Sequence, residues 1–304
     1  IRAGKQLSDS KGSSAAISTE VAIVAMKRAM SGFMGPRDIF RNPESMFRQF
    51  EKTDGDSPFD VMLSHSGSEF AVMGMHFKIG LYEHQSAGAL QGLLNLVKEH
   101  PEIAVDPTTI DNIKITAYEP AFGIIGDPAK RDPKTRQSAD HSMVYIVSAM
   151  LQKAHMVIIE EGIGFFSAPN DEHWKKLMLT PYDFDIDAVN SSDTRKIMET
   201  IFFEHGGQEY DDKYPDGIPT SVCIGMKNGN KYDSGLIMYP SGHARNNVCN
   251  LEDILRAKFA MHGQIALDDY GVIVDRCMGV DFLDTDGVAS IWDIEIADRP
   301  VFKN

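Results

Sequence analysis

Apolar residues recur at helical spacing over residues 13–30, with Ala16, Ile17, Val21, Val24, Ala25 and Met30 in phase, and Gly35-Pro36 stops that helix. Residues 43–50 suggest another short helix, and residues 51–68, rich in Gly, Asp and Ser, read as loop. From Phe70 the texture changes. Residues 85–99 put Ala89, Leu90, Leu93, Leu94 and Val97 on one face, which predicts a helix ended by His100-Pro101. Residues 113–118 alternate Ile113, Ile115 and Ala117 with Lys114, Thr116 and Tyr118, the period of a half-buried strand. A loop with Gly126, Pro128 and Pro133 leads into a predicted helix over about 138–154. Residues 193–203 suit helix or strand, and the reading taken is a short helix running into a strand. Residues 221–226 and 232–239 flank Asn228-Gly229-Asn230, a hairpin signal. Helical patterning returns over 251–261 and, more weakly, over 265–277.

This order, helix, then a mixed segment of strands and two helices, then helix again, predicts an α+β fold. The expected architecture is a mostly helical domain, incomplete here, formed by residues 1–69 and 246–304, carrying a smaller α+β domain of residues 70–245. The chain opens at Ile1, in loop before an amphipathic helix, and the expectation is that an N-terminal portion precedes it. With 304 residues, 42% hydrophobic and 24% charged, the chain has the balance of a globular protein able to bury a large core. No run of eighteen apolar residues occurs, so no membrane span is expected.

A formal net charge of −14 repels a phosphate backbone and argues against nucleic-acid partners. It does not exclude small anions, because a few cations in a cleft dominate locally. The three cysteines, Cys223, Cys249 and Cys277, lie far apart and read as reduced thiols. Their spacing also argues against an iron–sulfur cluster.

Four segments concentrate ionisable groups among small residues. In Lys11-Gly-Ser-Ser-Ala-Ala16, a lysine at a helix start is unfavourable unless it and the N-terminus together receive a carboxylate; the alternative is a solvated loop lysine. In Met75-His-Phe-Lys-Ile-Gly-Leu-Tyr-Glu-His84, Lys78, Tyr82, Glu83 and His84 precede a helix start of small residues. That group supplies a cation and a titratable ring, or an exposed loop with one core tyrosine. In Asp140-His-Ser-Met-Val-Tyr145, His141 and Tyr145 are four apart and are expected to share a helix face, with Asp140 orienting the imidazole; a capping Asp and a core tyrosine are the alternative. In Tyr239-Pro-Ser-Gly-His-Ala-Arg245, His243 and Arg245 suit an anion, or mark a turn leaving a sheet edge. No nucleophile elbow, P-loop or dinucleotide fingerprint is present in the sequence.

These four segments, in this order, resemble the MmgE/PrpD family. Residues 11–16 look like its lysine before an alanine-rich helix, and Phe77-Lys78-Ile79 followed by His84 resembles its lysine–histidine segment. Residues 139–147 are similar to its most recognisable stretch, and residues 239–245 to its tyrosine–proline–glycine–histidine signature. The resemblance runs over about residues 1–275 and implies an all-helical domain with an α+β lid, working as a homodimer without metal or other cofactor. It implies dehydration of 2-methylcitrate to 2-methylaconitate in propionate catabolism by the methylcitrate cycle, in a mitochondrial matrix or a bacterial cytoplasm. Lys78, His84, His141 and Tyr145 are then catalytic candidates, and Lys11, His243 and Arg245 bind a small tricarboxylate. The Lys78–His84 interval is shorter than the family's usual one, and the family's N-terminal helical region, which carries further acidic and histidine residues, has no counterpart here. The alternatives are a cis-aconitate decarboxylase, or a non-catalytic member kept for assembly.

Overall fold

The computed structural model of the chain describes residues 2, 3, 6–37, 39, 42, 44 and 74–298. The expected helix at 43–50 and loop at 51–68 lie almost wholly outside the described residues. Contacts divide the chain into a unit of Asp9–Met75 and a unit of Arg2–Ser8 with His76–Asn304. Residues 246–298 thus share a unit with residues 76–245.

The first unit is described mainly by helix α1, Ser10–Met30. It begins three residues earlier than the apolar period predicts. Ser14, Ser18 and Thr19 direct their hydroxyls to main-chain carbonyls three or four residues back, which keeps these polar residues compatible with a helix. Lys27 and Arg28 occupy the last turn, where the carbonyl ends favour cations. Ile17, Val21, Val24 and Met30, the in-phase apolar residues, are exposed.

The second unit is built on a four-stranded mixed sheet. Strand β1 is Ile110–Ala117, β2 Ile201–His205, β3 Thr220–Met226 and β4 Lys231–Asp233, in spatial order β2-β1-β3-β4. Strand β1 runs parallel to β2 and antiparallel to β3. Ile113, Ile115 and Ala117 are buried as the alternation requires, and Lys114 and Thr116 point to the other face. Tyr118 is buried as well, because the strand has ended and the chain turns into Pro120–Ile125. The expected second hairpin strand is cut to three residues. The Ser234 hydroxyl takes the Val222 N–H that a longer β4 would have bonded, at 2.9 Å.

Helix α2, Ala87–Glu99, lies on the sheet, and α3, Met143–Glu161, crosses beside it. Close approach of α2 depends on Gly88, where a Cβ would sit 2.5 Å from the Thr220 hydroxyl and 2.8 Å from the Ile218 carbonyl. All of Ala89, Leu90, Leu93, Leu94 and Val97 are buried. Helix α3 is long and apolar enough to cross a membrane, yet 61% of that stretch is buried inside the unit, as in a core helix. Helix α4, Ser192–Thr200, feeds β2 directly, as the sequence predicts. Helix α5, Leu251–Ala266, and α6, Gly271–Met278, lie where helices were expected, with a break at 267–270, and the short helix Thr285–Ala289 follows them. The result is a helical unit with a small mixed sheet, an α+β arrangement.

One expectation is corrected. The predicted helix over 138–154 is two elements, Arg136–Ala139 and α3, separated at 140–142 by a turn. The Ser142 hydroxyl accepts the Tyr145 N–H and starts α3 anew, the N-cap role serine favours. His141 therefore stands in the turn and does not share a helix face with Tyr145.

Leu93 is 1% exposed and packs between α2 and the sheet core. Leu93→Ala should cost about 2–5 kcal/mol of unfolding free energy, read as a lowered urea midpoint. A change below about 0.5 kcal/mol would show that α2 does not seal this core.

Candidate active site

Two remote stretches meet in the second unit. The first, His76–His84, precedes α2; the second, Tyr239–Arg245, follows the hairpin. The Phe77 N–H donates to the Gly242 carbonyl at 2.8 Å. Gly242 has φ +90°, and a Cβ there would collide with the Phe77 carbonyl, so only glycine suits both the turn and the contact. The second stretch is fixed to α2 by the Ser241 N–H donating to Gln91 Oε1 at 2.9 Å. It is closed on itself by Asn246 Nδ2 donating to the Tyr239 carbonyl at 2.8 Å. In the first stretch, the Ile79 N–H donates to the buried Tyr82 hydroxyl at 2.8 Å. Glu83 caps the turn by accepting the Gln85 N–H at 2.6 Å.

Three imidazoles stack where the stretches meet. His76 lies 3.7 Å from His243, with 22° between the planes, and 5.7 Å from His84, with 11°. The Ala244 N–H donates to His76 Nδ1 at 3.2 Å and the Arg245 N–H to His243 Nδ1 at 3.0 Å. Both Nδ1 atoms are acceptors, so each neutral ring carries its proton on Nε2. His243 Nε2 is buried without a hydrogen-bond partner among the described residues. Protonation of the stack is disfavoured. Burial, then His76, Arg245 and His84, push His243 down to about 4 from an ordinary 6.5. Burial and Arg245 lower His76, and burial, His76 and Lys78 lower His84.

Cations flank the stack at both ends. Lys78 is near enough to His84 to act on its charge. Arg245 acts on His76 and His243, and its guanidinium lies 5.9 Å from the Tyr239 ring centroid and 3.4 Å from Asp216. Lys258, on α5, was not singled out from sequence; its ammonium donates to the Lys78 carbonyl at 2.6 Å. Burial and Lys78 lower its pKa. A lone lysine in an amphipathic helix gives no sequence signal for such a contact. His76 was missed for a similar reason, because its partner His243 lies more than 160 residues away.

The other predicted residues make contacts of their own. His141 Nδ1 faces Asp140 and, at 3.0 Å, the Gln137 carbonyl. Burial raises the Glu83 carboxyl, against the lowering effect of the Gln85 N–H and, after it, of His141. Tyr145 is buried, with its hydroxyl donating to the Asp183 carbonyl at 2.6 Å and its ring 5.6 Å from Phe184. Those are the contacts of a core tyrosine. Lys11 lies in the first turn of α1, in the other unit, and is exposed.

A cleft of about 320 Å³ adjoins the group and is lined by Tyr239, Ser241, Arg245, Gln91 and Asn95 among others. Its walls mix amides, the Ser241 hydroxyl and the Arg245 guanidinium with Leu236, Ile237, Met238 and Val248; Lys78, His76, His84 and His243 do not line it, and Arg245 is the group in it that suits a small anion. A larger cleft, about 470 Å³, sets Asp106, Asp111, Asp193 and Glu199 against Lys196, Lys227 and His155. Its excess of carboxylates opposes a polyanionic ligand, so chemistry favours the smaller cleft.

A family model described as the MmgE/PrpD C-terminal domain matches residues 82–160 and supports the family assignment. The match takes in His84, His141 and Tyr145, and leaves Lys78, His243 and Arg245 outside it. No curated protein matches the chain.

Because folding lowers the pKa of His76, His84 and His243, each holds fewer protons folded than unfolded below about pH 6.5. Stability should therefore fall as pH drops from about 7 towards 5, read as a declining urea midpoint. His243→Gln should flatten that slope in part. A midpoint that rises on acidification would contradict neutral, desolvated rings.

Proposed function

We propose, for a chain assigned to the MmgE/PrpD family through residues 82–160, that it dehydrates 2-methylcitrate or a closely related hydroxy-tricarboxylate. That family's C-terminal domain marks dehydratases and lyases. The observation that supports the reading is the grouping of Lys78, His84, His243 and Arg245, from stretches far apart in an acidic chain, around one pair of loops.

The chemistry asks for two things. A weakly acidic C–H beside a carboxylate must lose its proton, and the charge that develops must meet fixed cations. Lys78 and Arg245 serve as the carboxylate anchors. Lys258 holds the Lys78 main chain. Burial, then His76 and Lys78, shift His84 towards its neutral form, so its ring is free to accept the proton. The imidazolium so formed returns that proton to the departing hydroxyl, and water leaves. His141, held by Asp140, is a candidate for positioning. The contacts of Tyr145 give it a structural role in this reading.

Lys78→Ala should lower turnover of 2-methylcitrate by roughly tenfold or more, equivalent to about 1.4 kcal/mol of transition-state stabilisation, with the fold intact by circular dichroism. Turnover near wild type would remove Lys78 from the site. Formation of alkene absorbance from 2-methylcitrate supports the dehydratase. Carbon dioxide released from cis-aconitate, with 2-methylcitrate inert, would instead indicate a decarboxylase.

A further inference from the structure

We propose that the stacked pair His76–His243 is a carboxylate receptor that takes up a proton when a tricarboxylate binds; this deepens the lyase reading above and rests on it. His76 belongs to no recognised motif. The Phe77–Gly242 main-chain contact sets residue 76 beside residue 243, and the two rings stack at 3.7 Å. Consecutive N–H groups, of Ala244 and Arg245, occupy both Nδ1 atoms. The Nε2–H is then the one free donor of each ring.

His243 is 4% exposed, and its Nε2 is a buried polar atom with no partner among the described residues. A buried donor left unpaired costs free energy, which an acceptor on a ligand would recover. A carboxylate oxygen is such an acceptor. The face-to-face stacking suits two N–H donors to oxygen better than two nitrogen lone pairs converging on a metal ion.

The groups facing the pair explain why a proton comes with the anion. His76 meets Arg245, His84 and His243; His243 meets His76, Arg245, His84 and the Tyr239 ring. Lys78 stands beyond His84, and Lys258 beyond Lys78. Asp216, the carboxylate paired with Arg245, reaches the rings through that guanidinium. Burial first, and then the neighbouring positive charges, keep the rings neutral. A tricarboxylate brings up to three negative charges, reverses the local balance and draws one proton from solvent onto the pair. Binding and proton uptake are thereby linked.

Isothermal titration of the full chain with citrate at pH 7, in phosphate and in Tris, separates heat of binding from heat of buffer ionisation. The expected result is binding with net uptake of a proton in wild type. His76→Gln keeps a donor but cannot titrate, and should retain most of the affinity while losing most of the uptake. His76→Phe keeps the stacking and loses the donor, and should bind about tenfold more weakly. Citrate binding with no uptake, or uptake unchanged in both variants, overturns the receptor while leaving the lyase reading in place. Absence of citrate binding in wild type overturns both.

Discussion

The candidate site depends on one main-chain contact, the Phe77 N–H on the Gly242 carbonyl. It joins a loop before α2 to a loop after the hairpin, and neither loop has regular structure to hold it in place. Everything chemical follows from that junction. His76 can stack on His243 because their neighbours are paired; the amides of Ala244 and Arg245 can fix both tautomers because the loops run side by side. The requirement falls on Gly242, whose positive φ and lack of Cβ leave room for the Phe77 carbonyl. The core supports the junction from below, through Gln91 on buried helix α2 and through Tyr82 beneath the Ile79 N–H.

Electrostatics then sets the character of the site. In a chain of net charge −14, Lys78 and Arg245 flank three imidazoles whose protonation burial and these cations disfavour, and Lys258 holds the Lys78 main chain. On the proposed reading such a group receives an anion, and its neutral rings are able to take up a proton once the anion is present. The neighbouring cleft has mixed amide and apolar walls with one guanidinium and, among the described residues, no carboxylate, whereas the larger one elsewhere carries excess carboxylate. Charge, more than volume, distinguishes them.

Much of the fold was legible because periodicity reports burial. The strand at Ile113–Ala117, helix α2, and the helix-to-strand passage at Ser192–His205 all show the spacing their burial requires. Boundaries failed where a side chain intervened. Ser142 restarts α3, and Ser234 ends the hairpin strand, both by hydrogen bonds that apolar spacing does not encode. The site was legible in part. Lys78, His84, His243 and Arg245 could be picked out because ionisable residues beside glycine, serine and proline mark loops that carry chemistry. His76 and Lys258 could not, since each gains its meaning from a partner remote in sequence. Tyr145 fits its sequence pattern and still turns its hydroxyl to a core carbonyl, so pattern alone does not decide between chemistry and packing.

The central claim is that the loops at 76–84 and 239–245 form one receptor for a small polycarboxylate. A crystal structure of the chain grown with citrate tests it most directly. The account predicts a citrate carboxylate within hydrogen-bonding distance of His243 Nε2, with Lys78 and Arg245 on either side. Citrate seated instead beside Lys196 and Lys227, with His243 Nε2 still unpartnered, would contradict it.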